Sequence, residues 1–175
     1  IDEQTPFADA ATDLPYDRSK VGGERAVLQA VQEGLDAVIV NPAGVIGPHD
    51  YRPSAQGAAL LDIAERRIPA LVKGGYNFVD VRDVVHGALR AEATGRRGER
   101  YLLTGHSVSI AELAGLIGQC TGRPTPTFET PLWLARASVP LVRLAARAVG
   151  KRPLFTVNSL RILDSCRDFR HDKAR

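Results

Sequence analysis

The run Ala37-Val38-Ile39-Val40 constrains the fold of this chain more than any other feature. It has no polar residue at alternate positions, so neither face suits water, and this is the pattern of a strand covered on both sides in a parallel sheet. Parallel strands need crossover connections, usually helices. Helical patterns do flank the run. Leu14 to Glu33 carries an apolar stripe of Val21, Val27, Leu28 and Val31, with Asp13 placed to cap it, Pro15 in its first turn and Gly34 to end it. Further helices are predicted over Ser54–Arg67, Arg82–Ala93 and Leu132–Val149, the last bent at Pro140, and Ser109-Ile110-Ala111-Glu112 opens another, reaching Cys120, with a capping box. Short strands are predicted at Val72, Phe78–Val81 and Tyr101–Leu103, while Asn41 to Pro48 ends the first strand in a turn. Alternation of this kind defines an α/β domain.

At 175 residues the chain is long enough to bury a core, and its net charge of +3 is small. Cations crowd the region beyond residue 135, which suits either a solvated surface or attraction to anionic ligands. Cys120 and Cys166 form no CxxC pair, and His49, His86, His106 and His171 lack ligand spacing. Neither a metal site nor a disulfide framework is expected, and a reduced, cytoplasmic setting fits. No membrane span, leader or nucleic-acid partner is expected. In the helix from Leu132, Arg136, Arg143 and Arg147 fall near one face, with Trp133 and leucines elsewhere. That helix either lies on a membrane surface or packs within the domain with its arginines snorkelling.

Chemistry concentrates at Tyr16-Asp17-Arg18-Ser19-Lys20, where a phenol and an ammonium four residues apart share a helix face. A free phenol with a pKa of about 10 is a poor base at neutral pH. A nearby ammonium favours the phenolate, so such a pair suits proton exchange with a substrate oxygen. Gly22 and Gly23 are costly inside a helix and suggest close approach to its backbone. Glu24 stands nearly on the same face as Tyr16.

Tyr16-Asp17-Arg18-Ser19-Lys20-Val21-Gly22-Gly23-Glu24 resembles the active-site helix of the extended short-chain dehydrogenase/reductases, with the pattern Tyr-x-x-Ser-Lys-x-x-x-Glu. Asn41-Pro42-Ala43-Gly44-Val45-Ile46-Gly47-Pro48 is similar to the family's turn beside the nicotinamide, and Asn77-Phe78-Val79-Asp80-Val81-Arg82-Asp83-Val84 to its Phe-Val-x-Val-x-Asp-Val segment. The resemblance implies the C-terminal part of a Rossmann-type doubly wound parallel sheet with a smaller α/β substrate-binding region. Residues 1–53 would belong to the former and 54–175 mainly to the latter, with 76–105 partly returning to the sheet.

It further implies Tyr16 as acid/base and cofactor contact, Lys20 as its partner and ribose ligand, and NAD or NADP as cofactor. Pro42, Ala43 and Val45 would meet the nicotinamide end, and Asn41 the substrate or cofactor. Asp80 and Asp83 read as structural. A homodimer through the active-site helix would follow in the full-length protein.

The glycine-rich turn that holds a pyrophosphate is missing, since neither Gly44-x-x-Gly47 nor Gly115-x-x-Gly118 links a strand to a helix. Family members carry that turn, and a carbonyl-polarising serine or threonine, upstream of the tyrosine; Thr5 and Thr12 lie too near Tyr16 to serve. The chain is therefore expected to be a fragment that binds NAD(P) weakly and is inactive alone. Sugar-nucleotide members commonly place an arginine just before the Phe-Val segment, where this chain has Gly74-Gly75-Tyr76-Asn77. The resemblance is closest to dihydroflavonol-reductase-like members, and implies reduction of a ketone or aldehyde on a small substrate. The alternatives are a nucleotide-sugar epimerase or dehydratase and a non-catalytic nucleotide sensor.

Overall fold

The structure is a computed structural model that describes residues 2–6, 15–148, 150, 155–164, 169 and 172–174. The element order is α1 (Pro15–Gln32), β1 (Ile39–Pro42), β2 (Gly44–Ile46), α2 (Ala55–Ala64), β3 (Leu71–Val72), β4 (Gly75–Asp80), α3 (Val81–Thr94), β5 (Arg100–Leu103), β6 (His106–Ser109), α4 (Ile110–Thr121), β7 (Glu129–Thr130), α5 (Leu132–Ala148), α6 (Val157–Asp164) and a 3-10 turn at Asp172–Ala174. The alternation makes this an α/β protein with parallel strand pairs. The proposed cap at Asp13 lies outside the described residues. The chain divides into two compact units, one of Ile1–Val45, Val79–Gly105 and Asp168–Arg175, the other of Ile46–Phe78 and His106–Arg167.

In the first unit β1 and β5 pair in parallel, from Ile39 opposite Arg100 to Pro42 opposite Leu103. The strand therefore starts two residues later than the apolar run and continues through Asn41-Pro42, where a turn was expected. The pairing with β5 supplies the reason, since Ala43 N–H continues the register by donating to Leu103 C=O at 3.0 Å. Ile39, Val40 and Asn41 are half-buried and Pro42 exposed, rather than sealed on both faces. Helix α3 covers the pair, and Val79, Ala91 and Leu103 are buried in this unit.

Asp80 caps α3: its carboxylate accepts from Arg82 N–H at 2.8 Å and takes a two-pronged bond from the Arg82 guanidinium. Those bonds to the charged form hold its carboxyl down at about 2. Helix α1 ends where expected, with Gly34 at φ +117° and Leu35 N–H returning to Ala30 C=O at 2.9 Å.

In the second unit β4 pairs antiparallel with β6, from Gly75 opposite Ser109 to Phe78 opposite His106, and β3 pairs in parallel with β7. Ser109 and Glu112 close the expected capping box on α4, and Ser54 caps α2 by accepting from Gly57 N–H. One core packs Ile63, Leu71 and Ala114 between α2, β3 and α4. A second gathers Ala135 and Val139 of α5 with Leu160 and Leu163 of α6, against Tyr76 and Ile110. Gly74 is required between them. Its φ of +141° suits glycine, and a Cβ there would stand 2.7 Å from Leu163 C=O.

Candidate active site

The first unit fixes the direction of α1 through three contacts. Arg97 donates to Val31 C=O at 2.5 Å, so the last turn of the helix lies on the loop that feeds β5. Val31 is also the side chain nearest Gly98. About two turns earlier, Glu24 faces Arg100, the first residue of β5, at 3.6 Å. Tyr16 stands eight residues before Glu24, which is ~12 Å further along a helix. Strands β1 and β5 advance ~10 Å over four residues in the same sense. Tyr16 is thereby carried toward the ends where Asn41-Pro42 and Leu103 lie. Carboxyl ends of parallel strands are where open α/β folds collect ligands.

At that end Lys20 Nζ stands over the Tyr16 ring, 5.6 Å from its centroid. Tyr16 is 65% exposed, so its hydroxyl is open to a reactant. The chain has four tyrosines, and a cation over a ring is not unique to this one. Lys173 stands 5.0 Å from the Tyr101 centroid, but that lysine is bonded to Glu99 and the Tyr101 hydroxyl accepts from Arg96 N–H at 2.9 Å. Tyr51 is paired with His49 at 2.7 Å, and burial pushes the Tyr76 phenol up, which disfavours its ionised form. Among the four, Tyr16 alone joins an exposed phenol to a lysine on its own helix face.

The other site residues belong to the end of the strand pair. Asn41 is half-buried and Pro42 exposed in β1, Ala43 follows, and Val45 lies half-buried in β2. Because Ala43 N–H is spent on Leu103, a contact to a ligand there would need another atom. Thr5 has its hydroxyl bonded to Asp2 Oδ1 at 3.0 Å, and Thr12 lies outside the described residues.

Two sequence expectations change. Glu24 does not share the Tyr16 face: at ~100° per residue the two diverge by roughly 80°, and Glu24 turns inward to Arg100. A Cβ at Gly22 or Gly23 would meet nothing within 4 Å, so the chain itself does not crowd that backbone.

Arg100 is the residue that sequence reasoning missed. Its guanidinium also donates to Glu3 C=O at 2.5 Å, and Glu3 Oε1 accepts from Leu102 N–H at 3.0 Å. No local pattern announces a pairing across 97 residues. Glu24 Oε1 is buried without a hydrogen bond, so the Arg100 charge is what compensates it. Replacing Glu24 with Ala is expected to cost ~1–3 kcal/mol, because a half-buried guanidinium loses its counter-charge. The urea midpoints of Glu24→Ala and of Glu24→Gln, which keeps the side chain's size, each against wild type, measure it. An unchanged midpoint in Glu24→Ala would mean that α1 is anchored by other contacts.

The residues present fit one end of a nicotinamide dinucleotide, with a phenol and an ammonium for a ribose and a reacting oxygen. The sequence has no strand-to-helix glycine turn for the pyrophosphate.

Residues 1–104 match the model of the NAD dependent epimerase/dehydratase family. The sterol demethylase protein B of Methylococcus capsulatus is 40% identical over 153 residues, which is 86% of this chain and 46% of that protein. A candidate dihydroflavonol 4-reductase of Synechocystis is 34% identical over 151 residues, covering 84% of this chain and 44% of its own. The crystal structure of gox2253 superposes with a TM-score of 0.79 at 32% identity, over 99% of this chain and 53% of that one. The chain thus spans about half the length of the curated relatives it matches. With the parallel strand pair and the family match in agreement, the chain belongs to the NAD dependent epimerase/dehydratase family, the extended short-chain dehydrogenase/reductases.

Proposed function

We propose that the full-length protein is an NAD(P)-dependent oxidoreductase that reduces a ketone or aldehyde on a small organic substrate without phosphate. The carrying observation is Lys20 Nζ over the exposed ring of Tyr16. In this reading the Tyr16 hydroxyl hands its proton to the substrate oxygen as the carbonyl becomes an alcohol, and takes it back in the reverse direction. Lys20 favours the phenolate left behind and hydrogen-bonds a ribose. The cofactor supplies the hydride when bound. Asn41 contacts the substrate, and Pro42, Ala43 and Val45 form the wall beside the nicotinamide. Residues 1–53 serve the cofactor-binding fold and 54–175 mainly the substrate region, with 76–105 returning to the sheet. The open face at Gly22 and Gly23 suits a homodimer through α1.

The phosphate-free substrate rests on the sequence around β4. Gly74, Gly75, Tyr76 and Asn77 bring no cation, and Gly75 and Asn77 are buried. Two relatives are named for sterol and dihydroflavonol chemistry, and two others for reduction of a dTDP-sugar. Full-length enzyme with NADPH or NADH, screened against polycyclic and aromatic ketones beside nucleotide sugars, is expected to oxidise cofactor only with the ketones. Turnover of nucleotide sugars alone would give the epimerase or dehydratase reading instead.

A further inference from the structure

Helix α5 has two apolar faces, and only one of them is used. Ala135, Val139 and Ala146 are buried, the first two in the core shared with α6. On the outside, Trp133 is 70% exposed, Leu141 70% and Leu144 66%. At ~100° per residue, Trp133, Ala137, Leu144 and Leu141 fall within an arc of roughly 80°. Arg136, Arg143 and Arg147 form a second row, within roughly 40° of one another, along one side of that arc. Arg136 is bonded to Asp164 at 2.7 Å, whereas Arg143 and Arg147 stay exposed. The exposed tryptophan and leucines bordered by cations serve no packing among the described residues, where the inner face of α5 supplies the core contacts.

The charge pattern selects the occupant. Along α5 the charged residues are Arg136, Arg143 and Arg147, with no aspartate or glutamate, and an acidic neighbour, Asp164 at the end of α6, is taken by Arg136. A stripe meant for a protein surface of mixed charge would carry both signs. A one-sign border beside large apolar side chains is the composition of a helix that lies in the interface plane of an anionic bilayer. None of the described helices is long and apolar enough to cross a membrane, so the contact is peripheral. We propose that the outer face of α5 docks the protein on an anionic membrane surface, with Trp133, Leu141 and Leu144 entering the headgroup boundary and Arg143 and Arg147 pairing with lipid phosphates.

The test is co-sedimentation of the full-length protein with vesicles of phosphatidylcholine alone and of phosphatidylcholine with about one third phosphatidylglycerol, a composition that supplies the negative surface potential. Binding is expected to the second and to be weak to the first, and to fall as salt rises because the charges are exposed. Arg143→Gln with Arg147→Gln should lower partitioning about 10–30-fold, and Leu141→Asp with Leu144→Asp should abolish it. All four positions are exposed, so the fold survives, which circular dichroism checks. Quenching by brominated lipid, taken as the difference between wild type and Trp133→Phe, reports whether the indole enters the bilayer. No binding to the anionic vesicles, binding unchanged in the double variants, or no quenching at Trp133 overturns the proposal. So does vesicle-independent self-association that the leucine variants remove, since it would give the stripe to a second copy of the chain.

Discussion

Tyr16→Phe in the full-length enzyme is expected to lower kcat by ~10²–10⁴-fold, the usual contribution of a positioned general acid. The substitution removes one oxygen and keeps the ring over which Lys20 stands. The helix, its Glu24–Arg100 anchor and the strand ends are untouched. Cofactor affinity should therefore change little, and the loss should appear in kcat with nearly constant KM. Lys20→Met should behave differently: it removes both the charge beside the phenol and a ribose donor, so cofactor binding weakens together with kcat. Single-turnover measurement of hydride transfer with each variant separates the two. Rapid transfer in Tyr16→Phe would assign the proton to another group.

The largest effect on stability is expected at Leu160. It is fully buried in α6, packed among Ala135, Val139 and Leu163, with Val72, Tyr76, Ile110, Leu132 and Phe155 around them. Small residues line its α5 side, so they cannot swing in to fill a void. Leu160→Ala should cost ~2–5 kcal/mol through lost transfer energy and the cavity left behind. Leu160→Met, which nearly conserves volume, should cost less than ~1.5 kcal/mol. Urea denaturation of the full-length protein measures both. The loss belongs to the second unit, so fluorescence of Trp133, on the helix Leu160 packs against, should follow it. Equal midpoints for wild type and Leu160→Ala would contradict the packing of α6 on α5.

The positions of α1 to α5 were legible because their signals are local, whereas α6 was not foreseen. Ser109 and Glu112 are three residues apart and close their box with no outside help. Gly34 ends α1 for the same reason. Strand extents were less legible, since β1 takes its ends from the register with β5 and the bond from Ala43 to Leu103, not from its own apolar run. Strands β2 and β6 escaped notice entirely; β6 begins at His106-Ser107, whose exposed polar side chains mask a backbone paired with β4. Asp80 read as structural, as it proves to be, but its cap and its grip on Arg82 need the helix start to be known.

The sequence by itself determined the α/β class, the family and the sharing of one helix face by Tyr16 and Lys20, because helical spacing alone makes residues four apart neighbours. Only the tertiary structure decided that Glu24 turns from that face to meet Arg100, and so which way α1 points its tyrosine. The same holds for α5, whose two apolar stripes look alike in sequence. Which one is buried depends on where α6 lies, and no local property of the helix contains that information.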